Sequence, residues 1–203
     1  MLRRTFVQSA VATLLVAGQP TAHDSGTKFA RAAAAQLGVT TGYDPHYTRI
    51  PYPNGDVPRT TGVCADVVVR AARDAFHLDL QQLVHEDMQR DFAAYPRTWG
   101  MQHPDANIDH RRVLNLEVFW RRAGAAVWLP NGSVYGNGFP EPIQTGDILT
   151  WLLDGHMPHV GVVTDTGFFS TEITHNIGAG VQKNALFSFH THRAHGHFRW
   201  PKV

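Results

Sequence analysis

The sequence predicts an α+β fold, with helices first and strands after. Apolar residues recur at helical spacing between Ser25 and Ala123. From Asp147 onward the spacing changes to short apolar runs split by tight turns. Proline and glycine collect between these stretches and leave few elements ambiguous.

Ser25 to Gly38 reads as the first helix. Ser25 or Thr27 can cap its start, Phe29, Ala33 and Leu37 share a face, and Gly38 stops it. Val39 to Arg59 carries Pro45, Pro51, Pro53, Asn54-Gly55 and Pro58. It is an extended loop, of a length that often serves function. The second helix runs from about Val63 to Phe76, with Val63, Val67, Ala71 and Ala75 as a buried stripe and Val68, Ala72 and Phe76 beside it. So apolar a helix packs centrally. Asp79 to about Tyr95 gives a third helix, closed by Pro96. Asp109 caps a fourth, His110 to Ala123, which places Val113, Leu116 and Trp120 on one side and stops at Gly124.

Asp147 to Leu153 is the first strand, Asp154-Gly155 a turn, and His159 to Thr164 the second strand. Phe168 to Ile177 is the third, and Leu186 to His190 and His197 to Trp200 are weaker strands. Short consecutive strands with tight links imply an antiparallel β-meander packed under the N-terminal helices.

Residues 1–22 read as an export signal. Arg3 and Arg4 supply charge, and Ala10 to Gly18 is apolar but too short to span a bilayer. Cleavage fits after Ala22 or after Gly18. Arg3-Arg4-Thr5-Phe6 suits either the twin-arginine or the general route. Residues 23–203 then form one domain that is periplasmic or secreted, with no membrane span. Losing Arg3 and Arg4 takes the formal charge from +1 to −1, a balance that argues against a nucleic-acid partner. There is no internal repeat and no low-complexity tract.

Cys64 is the only cysteine, so it cannot form an intramolecular disulfide. It falls in the first turn of the second helix, where unpaired N–H groups favour a thiolate and should lower its pKa. A cysteine nucleophile needs a nearby base, and that base needs an orienting partner. His159 and His175 lie on successive strands, and residues of adjacent strands meet when they share a face.

Thr145-Gly146-Asp147-Ile148-Leu149-Thr150-Trp151 resembles the Gly-Asp-hydrophobic first strand of the NlpC-type branch of the papain-like fold. Pro158-His159-Val160-Gly161-Val162-Val163 is similar to its His-Val-Gly second strand. That branch includes many bacterial cell-wall amidases and endopeptidases. The mature chain also resembles an exported bacterial family known only as a domain of unknown function and grouped with that superfamily. The stretches that carry this likeness are Val39–Asp44, Gly62–Cys64, Leu83–Met88, Asn107–Arg112 and His175–Gly180.

The resemblance implies a papain-like NlpC-type fold with an insert at about 79–138. It implies Cys64 as nucleophile, His159 as general base and His175 as the third, orienting residue, with Asn176 as runner-up. Strand alternation lets only one of the last two face the others. It implies a thiol hydrolase cleaving an amide or peptide bond, with peptidoglycan stem peptides as the favoured substrate and no cofactor. An acyltransferase with the same triad and a non-catalytic envelope-binding domain are the alternatives. Val63 stands where many members have Asp, and Asp66 follows the cysteine instead.

Other candidates have plainer readings. Asp66 suits the helix start, Asp109 and His110 suit a cap, and Asp147 suits a turn. Tyr43, Tyr47 and Tyr52 could line a groove or pin the loop. His190, His192, His195 and His197 have the alternation of a strand metal site, but no His-Glu-x-x-His helix accompanies them, and no metal is expected.

Overall fold

The computed structural model describes residues 22–130 and 138–202. The export signal read at residues 1–22 lies outside that range except for Ala22. Among the described residues, four α-helices cover one face of a six-stranded antiparallel sheet. Helix α1 spans Ala22–Ala34, α2 Cys64–Phe76, α3 Leu80–Arg90 and α4 Val113–Arg122. The strands are β1 Ala126–Trp128, β2 Ile148–Leu153, β3 Met157–Thr166, β4 Thr171–Asn176, β5 Val181–Ala185 and β6 Arg193–Phe198. Their order across the sheet is β1-β6-β2-β3-β4-β5. β2 to β5 form the expected meander, and β6 then returns to pair with the free side of β2. No described helix is long and apolar enough to cross a membrane.

The β2–β3 hairpin follows from its turn. Asp154, Gly155 and His156 link Leu153 to its partner Met157, and Asp154 and Gly155 both take positive φ (50° and 79°), which lets so short a link reverse the chain. Strand alternation then sorts the side chains. Ile148, Val160, Val162 and Phe198 face the helices, where they meet Phe29, Val67, Val68, Leu116 and Trp120. Leu149, Trp151, Leu153, Val163 and Ile173 face the other way, under Phe189 and Phe139.

Helix α2 is the central element, as its apolar stripe implies. Its one buried cation, Arg70, organises the proline-rich loop before it. Arg70 Nε donates to Asp56 (3.0 Å), Nη1 to Thr40 Oγ1 (3.1 Å) and Nη2 to the Thr61 carbonyl (3.0 Å). A buried guanidinium is tolerable only when its donors are satisfied in this way. Gln81 continues the anchoring: its Nε2 donates to the Pro51 carbonyl (2.9 Å), and its Oε1 accepts the Gly55 N–H (2.8 Å).

Several elements differ from the sequence expectation. The third helix ends at Arg90, because Asp91 leaves helical geometry (φ −152°), and a separate 3₁₀ turn occupies Phe92–Ala94. Asp109–Arg111 is a 3₁₀ turn rather than the start of α4, because Arg112 is extended (φ −101°, ψ 115°) and α4 begins at Val113. Leu186 to His190 is not a strand. Leu186–Phe189 forms a 3₁₀ turn that drops Phe189 over the second apolar layer. The final strand starts at Arg193, four residues before the expected His197. Strands β1 and β5 were not expected; both are short edge strands, and β5 reads Val-Gln-Lys-Asn-Ala with no apolar run. Within 79–138, α3 and α4 contribute Leu80, Val84, Leu116 and Trp120 to the main core.

Candidate active site

Cys64 is the first residue of α2, and it is buried. Asp66 shapes this helix start: its carboxylate accepts the Val63 N–H (2.6 Å) and ion-pairs with Arg111 (3.0 Å). Arg111 also donates to the Asp44 carbonyl (3.1 Å), which ties the long loop to the same point. From the sheet, Asn176 Nδ2 donates to the carbonyls of Gly62 (2.9 Å) and Gly42 (3.1 Å). The segment carrying Cys64 is therefore clamped from both sides.

The thiol lines a cleft of about 400 Å³ with Tyr43, Tyr47, Trp99, Arg112 and Pro158. The backbone N–H groups of Val160, Ala65 and Cys64 itself lie near the sulfur and favour its charged form. Burial opposes them and, with the Asp66 charge, pushes the thiol up to about 11. The lowered pKa expected from a helix start is thus overturned by desolvation. Tyr43 is likewise pushed up to about 12 by burial first, then by the charges of Cys64 and Asp66, so it remains a donor at neutral pH.

His159 and His175 lie on the opposite side of the sheet from Val160. His159 Nε2 is 3.0 Å from His175 Nδ1, and His175 Nε2 is 3.0 Å from Asn184 Oδ1. Phe189 stacks along His159 with ring centroids 6.0 Å apart. Burial pushes His159 down to about 3, with lesser contributions from His175 and His192, and burial also lowers His175. Both rings are therefore neutral near pH 7.

Neutrality fixes the protons. Asn184 Oδ1 can only accept, so His175 Nε2 carries a proton and His175 Nδ1 is a lone pair. His159 Nε2 must then donate, which leaves His159 Nδ1 unprotonated. Nδ1 makes no hydrogen bond to the described residues, so the chain ends in an open base.

β3 runs past the end of β4 here: the β3–β4 pairing begins at Gly161 opposite His175. Helix α2 packs against β3, with the Cys64 sulfur near the Val160 N–H, one peptide unit from His159. The structure thus joins His159 to His175 and sets Cys64 beside their strand. No hydrogen bond links Cys64 to either imidazole among the described residues. Asn176 lies on the Cys64 side, with its amide committed to the loop carbonyls.

The remaining candidates separate. Tyr43 and Tyr47 line the cleft, whereas Tyr52 packs on His85 with ring centroids 5.1 Å apart. Asp109 accepts the Asp105 N–H (2.5 Å). His110 is buried and pushed down to about 4 by desolvation. Asp147 accepts from the Gln144 N–H (2.7 Å) and from Arg199 (2.8 Å), and it meets His197 at 2.7 Å. His195 pairs with Glu117 at 2.9 Å, so the histidine tail is split among different partners. Among the described residues no group of three or more His, Cys, Asp or Glu is placed to hold a metal. Asn184 was missed, because a lone Asn in a polar edge strand carries no sequence signal. Trp99 and Arg112 were also missed; their stacking, with the guanidinium 4.4 Å from the ring centre, arises from a loop with no pattern.

Comparison with known proteins adds a relationship but no activity. Over 172 residues the chain is 46% identical to a protein of Escherichia coli (strain K12) described as "Uncharacterized protein YijF", a match covering 83% of this chain and 78% of that one. Residues 30–200 match the profile of a family described as a domain of unknown function, DUF1287. That match runs from α1 through β6 and takes in every residue of the Cys64–His159–His175 region, so the chain belongs to the DUF1287 family.

Proposed function

We propose that this protein is a papain-like thiol hydrolase of the NlpC type. It cleaves an amide or peptide bond in the bacterial envelope, with peptidoglycan stem peptides as the favoured substrate. Cys64 is the nucleophile, His159 the general base and His175 its orienting partner. One observation carries this reading: the ordered chain Asn184–His175–His159 leaves the His159 Nδ1 unprotonated, on the residue before Val160, whose N–H lies near the sulfur.

In this mechanism His159 Nδ1 takes the thiol proton as the sulfur attacks the carbonyl carbon. The resting groups are neutral, so proton transfer accompanies attack rather than preceding it. The N–H groups at the start of α2 are positioned to stabilise the oxyanion. His159 then returns its proton to the leaving amine, and the acyl group stays on sulfur as a thioester. Water, activated by the same Nδ1, adds to the thioester; the acid leaves and the thiol regains its proton. An amine in place of water would make the same site an acyltransferase. Attack requires the imidazole to lean over the open edge of β3.

A second reading is a non-catalytic envelope-binding domain. It is favoured by the thiol pushed up to about 11 and by the missing Cys64–His159 hydrogen bond.

The test is muropeptide hydrolysis by wild type, Cys64→Ser and His159→Ala. The hydrolase reading expects product from wild type alone. Binding without turnover in wild type, unchanged in both variants, would overturn it in favour of the second reading.

A further inference from the structure

The cleft that holds the Cys64 thiol has a charge imbalance that the proposed chemistry does not use. Its lining includes Arg111 and Arg112 but no acidic side chain. Arg111 is fully occupied: it ion-pairs with Asp66 (3.0 Å) and donates to the carbonyls of Asp44 (3.1 Å) and His46 (3.3 Å). Arg112 is not. Its Nη1 meets Met101 Sδ and lies 3.5 Å from Asp109 Oδ1, at the limit of a hydrogen bond. Its Nε and Nη2 have no hydrogen-bond partner among the described residues.

The acids nearest to Arg112 have other partners. Asp109 accepts the Asp105 N–H, and Asp105 is held by the Tyr47 hydroxyl (3.0 Å) and the Asn107 side-chain amide (2.7 Å). Burial lowers the guanidinium pKa in spite of both carboxylates. The helix start gives no reason for a cation. Arg112 immediately precedes α4, its side chain makes no capping hydrogen bond, and the helix dipole disfavours positive charge at that end. What the fold does supply is orientation: the guanidinium lies over the Trp99 ring, 4.4 Å from its centre, and Trp99 lines the same cleft. Stacking fixes the plane of the guanidinium and leaves its edge for a ligand.

We propose that Arg112 binds a carboxylate of the substrate side-on, through Nε and Nη2, and so selects amides that carry a free carboxylate close to the bond that Cys64 attacks. Side-on pairing satisfies two open donors with one anion and sets one negative charge against the one unoccupied positive charge of the cleft. Arg112 holds the substrate and takes no part in proton transfer. The identity of the bond cut rests on the proposed hydrolysis; the binding of the carboxylate does not.

The test uses two muropeptides that differ only in having their stem carboxylates free or converted to carboxamides. Calorimetric binding to C64S reads the cleft without turnover. C64S should bind the free acid at least about tenfold more tightly than the amide, the worth of one charge-assisted pair. In C64S/R112Q the two ligands should bind alike. C64S/R112K keeps the charge without the planar fork and should fall between; it also carries the comparison should R112Q not fold. Equal affinity of C64S for acid and amide, absence of binding by both, or a preference that survives either substitution in full would overturn the inference. Acid-selective binding lost in R112Q, with no turnover by wild type, would uphold the carboxylate site and overturn the hydrolase reading instead.

Discussion

His159 Nε2 and His175 Nδ1 are 3.0 Å apart, and the proton between them belongs to His159. That assignment follows from Asn184, whose Oδ1 faces the far nitrogen of His175. The relay decides which nitrogen of His159 is open, and so what the strand can offer to a thiol beside it.

Asn184 therefore has a kinetic signature. Asn184→Leu removes the acceptor and frees the tautomers of both imidazoles. We expect activity to fall about 10- to 100-fold, less than the ~10²–10⁴-fold of losing the base itself because the imidazoles remain, with a small change in stability. Asn184→Asp keeps an acceptor and should recover part of the rate. Muropeptide turnover with parallel melting curves measures both; equal activity in Asn184→Leu and wild type would remove the relay from the mechanism.

His175→Ala and Asn176→Ala should differ in kind. His175→Ala abolishes most of the rate and also costs about 1–3 kcal/mol, because the buried ring leaves the His159 N–H and Asn184 unpaired, whereas Asn176→Ala should cost stability at a nearly unchanged rate. Asn176→Ala leaves the carbonyls of Gly42 and Gly62 without their donor and should cost about 1–3 kcal/mol. Urea titration beside kinetics separates the two. A rate loss confined to Asn176→Ala would reverse the assignment.

The thiol should be sluggish until alkaline pH. With a pKa of about 11, fewer than about one thiol in a thousand is ionised at pH 7.5. Iodoacetamide labelling should rise with pH without a plateau below about 10. Asp66→Asn removes a charge that raises the thiol and should shift the profile down, while the unpaired Arg111 costs about 3–5 kcal/mol. A plateau near neutral pH in wild type would mean an activated thiolate already at rest.

Acid should destabilise the fold. Burial holds His159 at about 3 and His110 at about 4, against 6.5 in the unfolded chain. Between those values the unfolded chain binds protons that the folded one does not, so stability falls as pH drops below 6.5. The slope is up to about 1.4 kcal/mol per pH unit for each such proton. Asp109 works the other way: burial raises it to about 6 from an ordinary 3.8, so it gains stability as pH falls through that window. The net expectation is loss between pH 6.5 and 4. Denaturant midpoints should show it, with a shallower slope in His159→Gln. A flat profile would mean that these histidines are solvated.

Chelators should leave activity unchanged, because the clustered tail histidines face separate partners. Activity lost to a chelator and restored by zinc would shift attention to that tail.

Local sequence determined much of this protein. Periodicity located α2 and β2 to β4, Asp154-Gly155 set the hairpin, and the position of Cys64 at a helix start was legible. The two-residue period of a strand required His175 and Asn176 to face opposite ways. Which of them meets His159, and which meets the Cys64 loop, was decided by the tertiary structure. The thiol pKa was also decided there, because a helix start lowers it by a local field whereas burial raises it through everything packed around it. Strand β5 and Asn184 were invisible for a related reason: an edge strand needs no apolar run, and its identity lies in its partner. Nothing in the spacing of α2 singled out Arg70, yet it holds together a loop whose contacts lie 9 to 30 residues away. Short-range spacing fixes elements, but desolvation and distant hydrogen bonds arise only when the chain closes on itself, and those set the chemistry of Cys64 and His159.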